Sequence, residues 1–283
     1  MQIAIVGTGA IGSAFAVQLS NAGHVVTVIA RGARLEELKR DKGILTRDGK
    51  HAPVNVSPAL DATTPWDLVL VTVRAPQVDS VLAAVQTSAA KTVMFMFNTF
   101  EPLDRLRDAV GASRFSFGFP AMFASLRDGK LQYRISTRGQ ITTVTDAAWA
   151  KVFSDAGILT VVHEDMHSWL RTHAAFAAPL LALSCLVHSR GSSISLREAW
   201  RFSRALSGGF GVVRQLGNTI TPSGMATLSR IPSPVVALFY WSLSRTKVMR
   251  EVGAPGPGEA RMLIDQMSAA SAEQTLELRA IRP

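Results

Sequence analysis

Ile3-Ala4-Ile5-Val6-Gly7-Thr8-Gly9-Ala10-Ile11-Gly12 is the stretch on which the reading of this chain turns. Its first four residues are a continuous apolar, β-rich run, the pattern of a parallel strand buried on both faces. Three glycines follow, and Ile11 to Leu19 then continues with helical spacing. A G-x-G-x-x-G pattern alone is weak. Between a strand and the helix it opens, it points to a dinucleotide pyrophosphate. The first glycine permits the tight turn, the second lets the backbone approach the phosphates, and the third lets the helix pack close to the strand. The helix N terminus adds unpaired N–H groups and a partial positive charge. Gly7, Thr8, Gly9, Ala10, Ile11 and Gly12 are therefore expected to hold the cofactor.

Working outward, strand and helix signals alternate through the first 100 residues. Val25 to Ile29, Leu68 to Val73 and Thr92 to Phe97 read as strands; Arg34 to Lys42 and Gln77 to Val85 read as helices. This alternation predicts an α/β fold with a parallel, doubly wound sheet. The second strand ends in Ala30-Arg31-Gly32, with Arg34 nearby, where a site for NAD carries Asp or Glu to hold the ribose 2′-hydroxyl. A guanidinium binds a 2′-phosphate with paired hydrogen bonds, so the expected cofactor is NADP(H), with Arg31 on that phosphate.

Residues 115–163 read differently. Leu131 to Ile135 and Gln140 to Val144 flank a Thr-Arg-Gly turn signal and could pair as a hairpin or form antiparallel edge strands. Trp149 to Ala156 reads as a helix and Ile158 to Val162 as a strand. Beyond about 166 the strand signals stop and Ala/Leu/Ser-rich helical stretches take over, broken at Pro222, Pro232, Pro234 and Pro255–Pro257. Ser195 and Glu198 have capping-box spacing. The expected domains are 1–166, binding NADP, and 167–283, all-α, for substrate and dimerisation.

Composition narrows the function class. The chain has 283 residues and is 47% hydrophobic, which excludes wholesale disorder. Its one cysteine, Cys185, excludes an internal disulfide framework and a Cys-based zinc site. No targeting segment is visible, and the apolar run Ala174 to Val187 is too short to span a bilayer, so a soluble cytoplasmic protein is expected. The net charge of +9 favours acidic partners. The charge is spread without basic blocks or aromatic interleaving, so neither nucleic acid nor membrane is expected as partner. Arg197, Arg201 and Arg204 share one helical face, read as solvated. No metal is expected: His163 and His167 lack an evident third ligand.

The loop at 5–12, Val28-Ile29-Ala30-Arg31-Gly32 with Arg34-Leu35, Val71-Thr72-Val73-Arg74-Ala75-Pro76-Gln77, and Asn98 after an apolar strand together resemble the ketopantoate reductase (2-dehydropantoate 2-reductase) family over about the first 100 residues. The resemblance implies an N-terminal Rossmann domain, a helical C-terminal domain, a site in the cleft between them, and reduction of a 2-oxo acid with NADPH. It implies that Arg74, where the family usually has Lys, lies near the cofactor phosphates or substrate, and that Asn98 lies near the nicotinamide. Second domains of this kind often dimerise, so a homodimer is possible.

The second half departs from the family pattern. Where the family carries Trp-x-Lys-Leu-x-x-Asn with the proton-donating Lys, this chain has Trp169-Leu170-Arg171-Thr172-His173-Ala174-Ala175. The distal Glu has only Glu259 as a weak counterpart. Hydride delivery to a ketone demands a proton. Arg is a poor donor but can clamp a carboxylate or stabilise charge. His173, with an ordinary pKa of about 6.5, suits proton transfer. The two lie about 200° apart on an ideal helix. His173 is the expected general acid, with Arg171 and Asn98 as further catalytic residues; a histidine merely packing on its helix is the plainer reading. An opine- or imine-type dehydrogenase, or a regulatory protein binding NADPH without turnover, are the alternatives.

Overall fold

The computed structural model describes residues 1–254 and 256–283. Pro255, named among the helix breakers, lies outside them. The chain divides into two compact units: Met1–Asn98 with Leu103–Met166, and Thr99–Pro102 with His167–Pro283.

The first unit is built on strands β1 (Gln2–Val6), β2 (Val25–Ile29), β3 (Ile44–Leu45), β4 (His51–Ala52), β5 (Asn55–Ser57), β6 (Leu68–Val71), β7 (Thr92–Met96), β8 (Phe115–Phe119), β9 (Met122–Arg127), β10 (Lys130–Ile135), β11 (Thr142–Val144) and β12 (Thr160–Val162). Eight of them form one sheet in the order β12-β11-β8-β7-β6-β1-β2-β5, parallel at every pairing except β11 with β8. Residues 3–6 of β1 and all of β6 are buried, as strands covered on both faces must be. Helices α1 (Ala10–Asn21), α2 (Gly32–Asp41), α3 (Asp79–Gln86), α4 (Asp104–Val110) and α5 (Ala147–Asp155) connect them. Phe15 of α1 and Phe153 of α5 meet edge to face, ring centres 5.3 Å apart, in the core of this unit.

Of the two arrangements open to the segments flanking the Thr-Arg-Gly signal, the hairpin between them is not formed, and each is instead an antiparallel strand with a different partner. Lys130–Ile135 pairs backwards with β9, and Thr142–Val144 instead joins the main sheet against β8. The physical reason is the turn Asp128-Gly129. Both residues have positive φ, +51° and +73°. A two-residue connection of that hand matches the twist of the strands it joins.

The second unit is all helix: α6 (Met166–Arg190), α7 (Leu196–Gln215), α8 (Ser223–Leu228), α9 (Ser233–Leu243), α10 (Lys247–Val252), α11 (Gly258–Ala270) and α12 (Leu276–Ala280). The capping box forms: Ser195 Oγ accepts from the Glu198 N–H and the Glu198 carboxylate accepts from the Ser195 N–H at 2.8 Å. Pro222 and Pro232 stand at the N-caps of α8 and α9. The apolar run 174–187 extends at both ends into the 25-residue α6, which by length and composition could cross a membrane; 67% of its most apolar stretch is buried as the core helix of this unit.

Gly129→Ala forces a Cβ into the left-handed region and is expected to cost about 1–2 kcal/mol in urea unfolding, whereas Asp128→Asn, which suits the same turn, leaves stability unchanged or slightly higher.

Candidate functional site

A cavity of about 490 Å³ opens in the first unit where β1, β2 and β6 end, lined by Gly7, Thr8, Gly9, Arg31, Arg34 and Gln77 among others. Each glycine of the loop answers to a different constraint. Gly7 has φ +102°, and a Cβ there would meet Val73 N at 2.8 Å. A Cβ on Gly12 would overlap the Gly7 carbonyl oxygen and the Thr72 hydroxyl. Gly9 has no neighbour within 4 Å of where its Cβ would stand, and its backbone is exposed. Directly behind it α1 begins with no side-chain cap and no acidic residue in its first turn. Bare backbone in front of an uncapped helix end fits a pyrophosphate. Ala10, Ile11 and Gly12 form the first turn of α1.

The wall beside this loop is an arginine network. Arg34 Nη1 donates to Glu37 Oε2 at 3.0 Å and to the Gly129 carbonyl at 3.1 Å, and Nη2 donates to Ser13 Oγ at 3.2 Å. Ser13 in turn donates to the Thr8 carbonyl at 3.3 Å. Arg34 Nε is buried without a hydrogen-bond partner. Arg31 is exposed on the cavity wall, at the N-cap of α2, another helix start without side-chain cap or acidic first turn. The surround is thus cationic: among the described residues the lining holds Arg31 and Arg34 and no carboxylate, and Glu37 behind it is paired with Arg34 at 3.0 Å.

Arg74 does not line the cavity. It is exposed at the turn after β6, and its Nε donates to Gln77 Oε1 at 3.4 Å. Gln77 and Ser80, which do line it, escaped the sequence reading. The available signal was Pro76, which starts a helical turn and so aims the residues after it back toward the strand ends. Asn98 follows β7 and is 8% exposed.

In the second unit, Arg171 is 8% exposed and engaged. Its Nη1 donates to Asn218 Oδ1 at 2.6 Å, its Nε donates to the Phe100 carbonyl at 3.3 Å, and its guanidinium lies over the Phe100 ring at 5.5 Å. Asn218 also donates to Ser168 Oγ at 3.1 Å. Arg171 therefore braces the segment Thr99–Pro102 rather than offering an open fork. His173 turns elsewhere: its partly buried ring stacks on Trp169, centres 5.3 Å apart and 10° from parallel. Burial lowers its pKa from 6.5 to about 4. The ordinary pKa that recommended it as a general acid is removed by its surroundings, because at pH 7 the ring is neutral. Glu259 is exposed in the first turn of α11, where a carboxylate favours the helix dipole. Among the described residues, no three His, Cys, Asp or Glu side chains gather as a metal site.

The His173 shift has a consequence for stability. A depressed histidine pKa means that below about pH 6.5 the unfolded chain takes up a proton that the folded chain refuses. This contribution to stability is intact above pH 6.5 and is lost progressively as the pH falls to about 4. In urea unfolding at pH 7 and pH 4.5, His173→Gln should lose less stability on acidification than the parent chain. Equal losses would contradict the shift.

The family model described as ketopantoate reductase PanE/ApbA matches residues 3–146. A 2-dehydropantoate 2-reductase of Vibrio cholerae is 28% identical over 135 residues, 47% of this chain; the match spans 41% of that relative's length. A PanE/ApbA family ketopantoate reductase structure from Ralstonia eutropha superposes with a TM-score of 0.77 at 19% identity, covering 100% of this chain and 96% of that one. D-mandelate dehydrogenase in complex with NADH gives a TM-score of 0.71 at 16% identity, covering 99% and 96%. At such identities the structures speak for the fold alone. The family model takes in the loop, the arginine wall and Asn98 together, and on that match the chain belongs to the ketopantoate reductase PanE/ApbA family.

Proposed function

We propose that this chain is an NADPH-dependent oxidoreductase that reduces a 2-oxo acid or a related carbonyl compound. The observation that carries the reading is the bare backbone at Gly9, set before an uncapped helix in a cavity walled by Arg31 and Arg34. Family membership and the named activity of the Vibrio cholerae relative support it. Residues Gly7 to Gly12 hold the pyrophosphate and Arg31 takes the 2′-phosphate, with Arg34 fixing the wall behind. The nucleotide, when bound, supplies the hydride.

The chain's own residues do the rest. The Asn98 amide, at the carboxyl end of a central parallel strand where such sheets place their ligands, donates a hydrogen bond to the substrate oxygen as it gains charge. Arg171 is a positioning residue: it holds Phe100, two residues after Asn98. His173, neutral at pH 7, is not the standing proton source; the alkoxide left by hydride addition takes its proton from solvent water, which is left as hydroxide and re-equilibrates with the buffer. Arg74, on the turn after β6 and outside the nucleotide cavity, supplies positive charge to an acidic substrate.

The test is binding followed by turnover. NADPH should bind about tenfold or more tightly than NADH, and Arg31→Ala should abolish that preference. Gly9→Ala should weaken both without changing thermal unfolding, because its Cβ meets nothing in the fold. NADPH oxidation should then depend on ketopantoate or another 2-oxo acid, fall about 100-fold in Asn98→Ala, and survive in His173→Ala. Equal affinity for NADH would overturn the cofactor assignment; tight NADPH binding without turnover of any 2-oxo acid or imine would leave a binding protein.

We also infer self-association through α9, which exposes Val235, Leu238 and Phe239 at i, i+3 and i+4, each more than half exposed. Sedimentation should show a dimer that Phe239→Glu dissociates; a monomer at all concentrations would refute this.

A further inference from the structure

The helical unit contains a second cavity, of about 560 Å³, enclosed by the C-terminal half of α6, the start of α7, α11 and the chain beyond α12. Its size is that of a small-molecule site. Its floor is apolar: Ala182 and Phe202 are buried, and Leu186 and Ile281 are half-buried. Its rim carries four arginines, Arg190, Arg201, Arg261 and Arg282.

Two of the four are neutralised. Arg190 pairs with Glu198 at 2.8 Å, and Arg282 grips Asp265 with two bonds of 2.7 and 2.9 Å. Arg190 and the Ser195 backbone hold the Glu198 carboxyl down to about 2, so it stays charged. Among the described residues, the other two form no ion pair with a carboxylate side chain. Arg261 donates Nε to an oxygen of Pro283 and its charge helps to lower the Asp265 carboxyl, while its Nη donors are unengaged. Arg201 forms neither hydrogen bond nor ion pair among the described residues. An unengaged guanidinium, Arg201, and a second with donors to spare, Arg261, on the rim of an apolar floor make a receptor for a molecule with an anionic head and a hydrocarbon body.

We propose that this cavity is a second ligand site, for a small apolar carboxylic acid in its anionic form, its carboxylate between Arg201 and Arg261 and its carbon skeleton on Phe202 and Leu186. It is separate from the nucleotide cavity, whose lining belongs wholly to the other unit. Cys185 on its wall stands about 21 Å along α6 from Arg171. The inference does not rest on the proposed reaction.

The full-length protein is titrated calorimetrically with hexanoate, hexanamide and inorganic phosphate. Hexanoate is expected to saturate one site at millimolar or lower concentration. Hexanamide, which lacks the charge, and phosphate, which lacks the apolar body, should each bind at least about tenfold more weakly. The double variant Arg201→Glu/Arg261→Glu, altered only at exposed side chains, should keep the parent's thermal unfolding and lose hexanoate binding by about tenfold or more. Independently, hexanoate should slow alkylation of Cys185, the chain's only thiol, in the unaltered protein. No hexanoate binding, equal binding of either control, full affinity in the variant, or an unchanged alkylation rate would each overturn the proposal.

Discussion

The Gly7 carbonyl oxygen and the Thr72 hydroxyl stand where a side chain on residue 12 would have to go, and Thr72 Oγ1 donates to that carbonyl at 2.6 Å. This close approach is the constraint on which the nucleotide cavity depends. It brings the first turn of α1 down onto the end of β6, so the helix axis points its N terminus across the strand ends rather than away from them. Gly7 gives way from the other side: only a residue free of Cβ can sit at φ +102° against Val73. With both contacts made, the backbone between them is pushed outward, and Gly9 becomes the exposed crest of the loop. The open crest proposed above as the anion cradle is thus a by-product of packing. A Cβ at Gly12 would collide with the fold, whereas one at Gly9 meets nothing within 4 Å, so that a substitution there separates ligand from fold.

The loop also needs a support from behind, and the chain draws it from far away in sequence. Arg34 reaches Ser13 on α1, Glu37 on its own helix and the Gly129 carbonyl at the tip of the β9–β10 hairpin. The hairpin turn at 128–129 is tight because both residues are left-handed. A looser turn would carry the Gly129 carbonyl away from Arg34. A hairpin lying outside the main sheet therefore helps to set the electrostatics of the cavity wall. The buried, unpartnered Arg34 Nε costs on the order of 1–3 kcal/mol and is tolerated at this wall, where positive charge has a use.

What was legible in the sequence is what local order decides. The run from Ile3 to Gly12 encodes strand, turn and helix within ten residues, and the parallel sheet follows from repeating that alternation. The Ser195–Glu198 box is equally local. Pairing of distant strands is not. Leu131 to Ile135 reads as a strand whichever partner it takes, and two turn signals, Asp128-Gly129 and Arg138-Gly139, competed for it. The first needs only two residues, both suited to positive φ, so it closes the hairpin. The chemistry of α6 was hidden for a different reason. Whether Arg171 is an open fork or a brace depends on Asn218 and Phe100, which lie 47 and 71 residues away. Whether His173 titrates near neutrality depends on what covers it. Residue type sets the candidates, and burial then decides between them.

The same distinction bears on the basic charge. An excess of nine positive charges suggests an acidic partner when counted along the sequence. In the fold, many arginines are spent on neutral acceptors of the chain itself. Arg114 donates Nε to the Val110 carbonyl at 2.8 Å, Nη1 to the Ser88 carbonyl at 2.6 Å and Nη2 to the Gln86 carbonyl at 2.9 Å, tying the ends of α3 and α4 to the residue that leads into β8. Arg171 and Arg34 do the same with Phe100 and Gly129. A guanidinium offers five donors in a rigid plane and stays charged when half buried, so it can satisfy several stranded carbonyls at once, which a lysine cannot match with one mobile ammonium. Each such brace adds a unit of net charge without adding a free cation. The informative arginines are therefore those without such duties. In the first unit Arg31 stands on the nucleotide cavity with no acceptor of its own among the described residues, and in the second Arg201 stands likewise on its rim. A surplus of charge becomes a statement about ligands only at positions where the fold has left it unspent.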